Sequence, residues 1–251
     1  IRHRTDLNLM NAGRKVNIER PKVLFCRQTG KYVMWAHYEN GENYLDARCC
    51  IATCDTPDGD FVYHGSFNPY GYMSRDCTLF QDDDGKAYFL SAARDNADLH
   101  VYLLSEDLLN VKKHVNTLWQ GEYREAPAVF KRNRKYYILS SYCTGWMPNQ
   151  GKWAVGSSME EPFSELAGFG NETTFDSQPA FVLSLDEDGC QRYVYWADRW
   201  CYEGTELIVQ EEVGNSMDVY SRSTYIVLPI QFGEKEEPFI EWTPRFRMRD
   251  A

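Results

Sequence analysis

Short apolar runs recur along the chain, and each is preceded by a polar residue. After every run a polar turn leads to a second run rich in Tyr, Phe, Val or Trp, which is the pattern of two β-strands joined by a tight hairpin. The repeats start near residues 19, 75, 124 and 177. Their second strands are predicted at 32–35, 87–90, 136–139 and 193–196, and outer strands at 50–53, 100–103, 153–156 and 225–228.

The repeat period is about fifty residues, which is the length of one four-stranded propeller blade. The sequence therefore predicts an all-β fold, a five-bladed β-propeller that forms a single domain over residues 1–251. Residues 1–18 are expected to be the remnant of a first blade that is incomplete in this chain. Because the chain starts at Ile1 in mid-pattern and without Met, we interpret it as a fragment or a processed form.

One polar residue leads the first strand of each repeat: Glu19, Asp76, Glu125 and Gln178. The first strand of every blade lines the central channel of a propeller, so equivalent residues are expected to converge at one mouth of that channel. The alternative for any single carboxylate is that it only satisfies a local backbone group. Four acidic or amide residues at equivalent positions favour a shared site.

Composition narrows the class of partner. The chain has 27 Lys and Arg against 37 Asp and Glu, a formal net charge of −10, and it lacks a basic stripe. Nucleic acid is therefore not an expected partner. No run approaches 18 consecutive apolar residues, so a membrane partner is not expected either. Aromatic residues make up 15% of the chain, which suits a carbohydrate-binding surface.

The residues that often hold metals are scattered. The eight cysteines lack paired zinc spacing and are interpreted as mostly reduced thiols. The run Asp82-Asp83-Asp84-Gly85 lacks the spacing of a calcium loop and is interpreted as a solvated turn. His37 is interpreted as a structural residue of a strand, and Trp35 and Trp196 as core residues. No metal and no cofactor are predicted.

Several motifs in this order resemble glycoside hydrolase family 43, and more narrowly its exo-β-1,3-galactanase subfamily. The likeness runs from about residue 17 to 245 and rests on segments 19–23, 73–80, 82–88, 124–128, 143–146, 173–178 and 198–200. It implies an inverting glycosidase that releases galactose from the non-reducing end of β-1,3-galactan or a galacto-oligosaccharide. It also favours an extracellular or periplasmic location, with a cytoplasmic one left open.

The resemblance also implies roles for three catalytic residues. Glu125 matches the general acid, and Asp76 matches the residue that adjusts the pKa of that acid and holds substrate. Gln178 matches the amide that faces the acid in this subfamily, where most of the wider family uses an Asp base from the first blade. Inversion needs a protonated carboxyl on one face of the sugar and a positioned water on the other. An amide is a poor base, but it can orient that water.

Five further residues are expected to bind substrate by the same resemblance. Glu19 matches a sugar-binding glutamate, although it could instead act on the water. Tyr44, Asn96 and Thr144 are expected to hydrogen-bond sugar hydroxyls. Trp146 is expected either to stack on a sugar face or to pack between blades.

Two alternatives stay open from the sequence. Within the same fold, the activity could be that of an α-L-arabinofuranosidase or a β-xylosidase, although Gln178 speaks against both. In a different class, the chain could be a carbohydrate-binding propeller without catalysis. The pair Glu125 and Asp76 argues against that reading, since a lectin does not need an acid with a tuned pKa.

Overall fold

The computed structural model describes residues 16–187, 189–200 and 223–246. Regular structure in these residues is β-strand, apart from one 3₁₀ turn at Pro69–Gly71. The chain divides into two compact units, Ile1–Pro127 with Gly156–Phe163, and Ala128–Val155 with Ser164–Ala251. Residues 1–15, most of the expected first-blade remnant, lie outside the described residues, and Asn17 and Ile18 begin the first strand.

The first unit contains two four-stranded antiparallel sheets in which each strand pairs with the next. The first sheet consists of β1 (Asn17–Cys26), β2 (Lys31–Glu39), β3 (Arg48–Cys54) and β4 (Val62–Phe67). The second sheet consists of β5 (Cys77–Gln81), β6 (Ala87–Ala93), β7 (Asp98–Leu104) and β8 (Val111–Leu118). A four-stranded meander of this kind is the construction of a propeller blade.

The core of the first unit lies between these two sheets. Trp35 on β2 is fully buried, and its ring centroid lies 4.8 Å from that of Phe89 on β6. The Trp35 indole N–H donates to the carbonyl of Leu108 at 2.8 Å, so the polar edge of the ring is satisfied where water is excluded. The prediction that Trp35 is a core residue is confirmed.

The second unit contains a four-stranded sheet and a three-stranded sheet, and β9 enters it from the first unit. The four-stranded sheet has β9 (Arg124–Arg132), β10 (Lys135–Tyr142), β11 (Gly151–Gly156) and β12 (Ala167–Phe169). The other has β13 (Gln178–Glu187), β14 (Cys190–Arg199) and β15 (Thr224–Pro229). The short strands β16 (Gln231–Phe232) and β17 (Pro238–Phe239) form a separate pair.

The core of the second unit is strongly aromatic. The Phe130 ring stacks on Tyr137 at 4.9 Å and lies 5.0 Å from Tyr193. Trp196 departs from the prediction, because 38% of it is exposed. It alternates on β14 with the buried Tyr195 and Ala197, so it lies on the opposite face of the strand. The prediction that Trp196 is core is wrong.

The strand order agrees with the repeat pattern. The predicted second strands lie within β2, β6, β10 and β14, and the predicted outer strands lie within β3, β7, β11 and β15. The latter are the third strands of their sheets, and β4, β8 and β12 lie beyond them. The fold class is therefore all-β, with sheets of the propeller type.

Candidate active site

Glu125 lies near the start of β9, and only 8% of it is exposed. The amide nitrogen of Asn96 donates to its Oε2 at 3.0 Å. Asn96 follows Arg94 and Asp95 in the turn between β6 and β7, and all three have positive φ, from 51° to 66°. Such backbone is uncommon outside glycine, and here it brings a buried amide to the Glu125 carboxyl.

Asp76 immediately precedes β5 and links three strands. Its Oδ2 accepts the backbone N–H of Ala126 at 3.1 Å and lies 3.3 Å from Nε of Arg20. Arg20 follows Glu19 on β1, and Ala126 follows Glu125 on β9. Three of the four lead residues therefore belong to one connected set within the first unit.

Glu19 receives two contacts from neighbouring strands and loops. Its Oε1 accepts the Tyr44 hydroxyl at 2.7 Å, and its Oε2 lies 3.4 Å from Nδ1 of His37. His37 is the cross-strand partner of Glu19 in the β1–β2 pair. The other ring nitrogen of His37 lies 2.8 Å from Oε1 of Glu39. The imidazole therefore stands between two carboxylates.

The charges in this group support one another. Burial opposes ionisation of Glu19, but the nearby His37 imidazole and the hydrogen bond from Tyr44 outweigh it, and the pKa of Glu19 is lowered. Burial also opposes the charged imidazole, yet the Glu19 and Glu39 carboxylates beside it raise the pKa of His37 to about 9. Near neutral pH, Glu19 is thus a carboxylate and His37 a cation.

Gln178 begins β13 in the second unit and is 8% exposed. Its amide nitrogen donates to the Ser141 hydroxyl at 2.9 Å, and its Oε1 accepts the Trp200 indole N–H at 3.0 Å. Because an indole N–H can only donate, this contact identifies the oxygen of the amide. Both ends of the Gln178 side chain are therefore fixed.

Trp146 lies beside this amide. Its ring centroid is 4.9 Å from that of Trp200, in an edge-to-face arrangement. A cleft is lined by Gly145, Trp146, Met147, Pro148, Asn149, Asp176, Ser177, Gln178 and Trp200. Trp146 and Gln178 thus line the same cleft.

Thr144 is engaged within its own loop. Its hydroxyl donates to the carbonyl of Met147 at 2.7 Å and accepts the amide nitrogen of Asn149 at 2.7 Å. Asn149 also bridges the backbone N–H and carbonyl of Tyr142. Thr144 therefore helps to shape the loop that carries Trp146.

Sequence reasoning missed four residues that contact the candidate site: His37, Glu39, Ser141 and Arg20. His37 was interpreted as structural, and the other three received no role. A usable signal was present for His37 and Glu39, since charged residues that become buried on a strand need partners. Trp200 belongs to a quoted motif, but its contact with Gln178 could not be read from the motif alone.

Among the described residues, no cluster of His, Cys, Asp or Glu is suited to hold a metal ion. None of the helical segments in those same residues is long and apolar enough to cross a membrane. The cysteines at 26, 49, 50, 54, 77, 143 and 190 are free thiols.

The fold and this geometry define an all-β propeller protein with carboxyl and amide groups at the start of its first strands. The family model described as glycosyl hydrolases family 43 matches residues 24–178. The chain belongs to glycosyl hydrolase family 43. A comparison with curated proteins finds no match.

The chain is also similar to several proteins of solved structure. The chain is 41% identical to an exo-β-1,3-galactanase from Clostridium thermocellum, with a TM-score of 0.82, over 90% of this chain and 49% of that one. It is 33% identical to an exo-β-1,3-galactanase from Phanerochaete chrysosporium solved with β-1,3-galactotriose, with a TM-score of 0.79, over 90% and 49% of the two chains.

A family 43 β-1,3-galactosidase solved with galactodeoxynojirimycin is 30% identical to the chain, with a TM-score of 0.83. That match covers 93% of this chain and 77% of the other. The chain thus spans about half the length of the two galactanases and most of the galactosidase.

Proposed function

We propose that the chain is the greater part of an inverting, exo-acting glycosidase that releases galactose from β-1,3-galactan or β-1,3-linked galacto-oligosaccharides. The proposal is supported by the family and by neighbours that are galactanases or galactosidases. The galactanase from Phanerochaete chrysosporium is solved with β-1,3-galactotriose and with galactose. The single observation that carries it is the burial of the Glu125 carboxyl at the start of β9, where only 8% of the residue is exposed.

Glu125 is the general acid in this proposal. A general acid must hold its proton near neutral pH, and burial favours the neutral form of a carboxyl. Asp76 lies next in the network, where its Oδ2 accepts the N–H of the residue that follows Glu125. A carboxylate in that place repels a second negative charge, and so it favours the protonated acid.

Gln178 orients the attacking water. An amide oxygen can accept a hydrogen bond from water, although it is a poor base. Because Ser141 and Trp200 hold both ends of the Gln178 amide, its orientation is set before substrate binds.

Substrate binding falls to the remaining residues. Glu19 and Tyr44 accept and donate hydrogen bonds to sugar hydroxyls, and Trp146 stacks on a sugar ring. Asn96 acts mainly through Glu125, whose carboxyl it already contacts, and Thr144 acts by shaping the loop that carries Trp146.

We also propose that residues 1–251 form one catalytic domain of a five-bladed parent, with its first blade incomplete in this chain. The support is the outer face of β1, where Ile18, Val23 and Phe25 are 40%, 42% and 44% exposed. Alternate apolar residues on a strand normally face another layer of the protein. An additional sheet would cover them.

The test is hydrolysis of β-1,3-galactobiose followed by proton NMR. We expect galactose to appear first as the α-anomer, because inversion at a β-linkage gives that product. Aryl α-L-arabinofuranoside and aryl β-xyloside serve as comparison substrates. Cleavage of those two alone would overturn the galactanase proposal, and binding of galactobiose without turnover would identify a lectin.

A further inference from the structure

His37 is a buried histidine between two glutamates. It is 2% exposed, with Nδ1 at 3.4 Å from Glu19 and Nε2 at 2.8 Å from Glu39. His37 and Glu39 are buried, and the Glu19 side chain is 27% exposed, so this ion triad is costly unless its geometry is good, because charges give up hydration on burial. Apolar residues at the two buried positions would avoid that cost, so the triad calls for a functional explanation.

The second glutamate anchors a loop. Glu39 is fully buried, and its two oxygens accept the backbone N–H groups of Asp46 and Ala47 at 3.1 Å. These residues end the loop between β2 and β3, and Tyr44 lies within that loop. Arg75 binds the carbonyl of Tyr44 at 2.9 Å, and the Tyr44 hydroxyl reaches Glu19.

The contacts form a closed circuit from Glu19 through His37 and Glu39 to the loop, and back through Tyr44 to Glu19. Both oxygens of Glu19 are therefore approached by donors whose own positions are fixed by buried groups. A carboxylate held in this way has one orientation, and it presents its remaining lone pairs in set directions.

We propose that His37 is a positioning residue that keeps Glu19 charged and correctly oriented as an acceptor for sugar hydroxyls, with Glu39 holding both His37 and the Tyr44 loop. This inference rests on the proposed function and deepens it. It also decides between the two roles open to Glu19. A carboxylate stabilised by an adjacent imidazolium is a weak base, so Glu19 binds the sugar and does not activate the water.

The effect of His37 on Glu19 depends on pH, because it requires the charged imidazole. The titratable groups that face His37 are Glu19 on β1, Glu39 on β2, Tyr44 in the loop, Asp76 before β5 and the Cys77 thiol at the start of β5. All are acidic or neutral, and they favour the imidazolium. Its contribution is complete at neutral pH and is lost as the pH rises through about 9, the raised pKa of His37.

The test measures galactobiose binding by calorimetry in a Glu125→Gln background, which removes turnover. When His37→Gln is added, the new amide replaces Nε2 and keeps a contact with Glu39, but the positive charge beside Glu19 is lost. We expect affinity to fall by about tenfold or more, because Glu19 loses its partner in the ion pair. In His37→Asn, the amide stands near the place of Nδ1, and we expect a smaller loss.

The control is His64→Gln on β4, where the histidine lies 2.7 Å from the Thr53 hydroxyl. We expect this control to bind within about twofold of the background protein, since the new amide takes the place of Nε2 beside Thr53, and strands β3 and β4 do not pair with β1, which carries Glu19. Affinity of the background protein should fall between pH 8 and 10, and the His37→Gln profile should be flat there.

The outcomes separate the two proposals. If the Glu125→Gln protein does not bind galactobiose, the proposed function fails, and the role of His37 fails with it. If that protein binds and both His37 variants bind equally well at every pH, the proposed function stands and the role of His37 is overturned. Should His37→Gln fail to fold in circular dichroism, His37→Asn and the pH profile decide the matter.

Discussion

Two glutamates of the first unit differ in burial and in their partners. Glu19 is approached by a charged imidazole and a hydroxyl, which hold its pKa low. Glu125 is buried, and the amide nitrogen of Asn96 donates a hydrogen bond to its carboxyl. Different environments allow two carboxyl groups to take different roles at one pH, one as a charged acceptor and the other as an acid.

The first prediction concerns Glu125. Glu125→Gln should lower kcat on β-1,3-galactobiose by at least about 10²-fold, because an amide cannot deliver a proton to the leaving oxygen. Affinity measured by calorimetry should change by less than about threefold, since the side chain keeps its shape. The control is Glu122→Gln, an exposed glutamate three residues earlier in the chain, which should leave kcat unchanged. Equal kcat in the two variants would remove Glu125 from the acid role.

The second prediction concerns the amide of Gln178. Trp200→Phe keeps an aromatic ring beside Trp146 but removes the N–H that reaches Gln178. We expect kcat to fall by about tenfold with a smaller change in KM, because a loosely held amide orients water less well. Trp196→Phe on β14 is the matched control, since that indole is 38% exposed and lies on a strand face. A larger effect of the control on kcat would contradict the role of Trp200.

At the scale of residues, the repeat located four lead residues, but it did not reveal their partners. Counting back from the β1–β2 turn, where Cys26 pairs with Lys31, would place Glu19 opposite Tyr38. The register shifts by one residue between Glu19 and Lys22, and Glu19 instead pairs with His37. A one-residue shift exchanges the two faces of a strand, so the His37 contact could not be derived from the hairpin alone.

At the scale of elements, irregular backbone recurs just after the lead residues. Arg20 and Ala126 have φ of 53° and 50°, and each precedes a proline. On β13 the register shifts between Pro179 and Phe181. Bulges redirect side chains near functional sites, and in β9 the irregular residue supplies the N–H that binds Asp76. Alternating apolar residues predict a strand, but they do not predict such a local change of conformation.

The third prediction tests whether the positive φ of Ala126 strains the backbone. Ala126→Gly should leave the free energy of unfolding unchanged or raise it by up to about 1 kcal/mol, because glycine adopts positive φ without a steric cost. Ala126→Val should lower it by about 1–3 kcal/mol, since a β-branched residue is poorly tolerated there. Both values come from urea denaturation.

The matched control for Ala126 is Ala92→Gly on β6, a fully buried alanine. There glycine should lower the free energy of unfolding by about 1 kcal/mol, as expected in a strand interior of ordinary conformation. If glycine destabilised both sites equally, the strain assigned to Ala126 would be wrong.

At the scale of the whole molecule, the sequence predicted the all-β class and the order of the strands, because the repeat, the hairpin turns and the alternation all agree. It did not predict which faces stay uncovered. Trp196 belongs to a run of β-favouring residues, yet it is 38% exposed, while its neighbour Tyr195 is buried. Coverage of a sheet face depends on what packs against it, and a single strand carries no information on that.

The last prediction uses the outer face of β1 to test the five-bladed parent. Phe25 is 44% exposed and contacts the Tyr32 ring at 5.1 Å. In the 251-residue chain, Phe25→Ser should therefore lower the free energy of unfolding by less than about 1 kcal/mol. In a longer form with upstream sequence, an added sheet would bury that ring, and the same change should cost about 3 kcal/mol. Val62→Ser on β4, where the valine is 53% exposed, should cost the same small amount in both forms. Removing a buried ring lowers the free energy of unfolding more than removing an exposed ring does. If Phe25→Ser lowered it equally in both forms, no added sheet would cover β1.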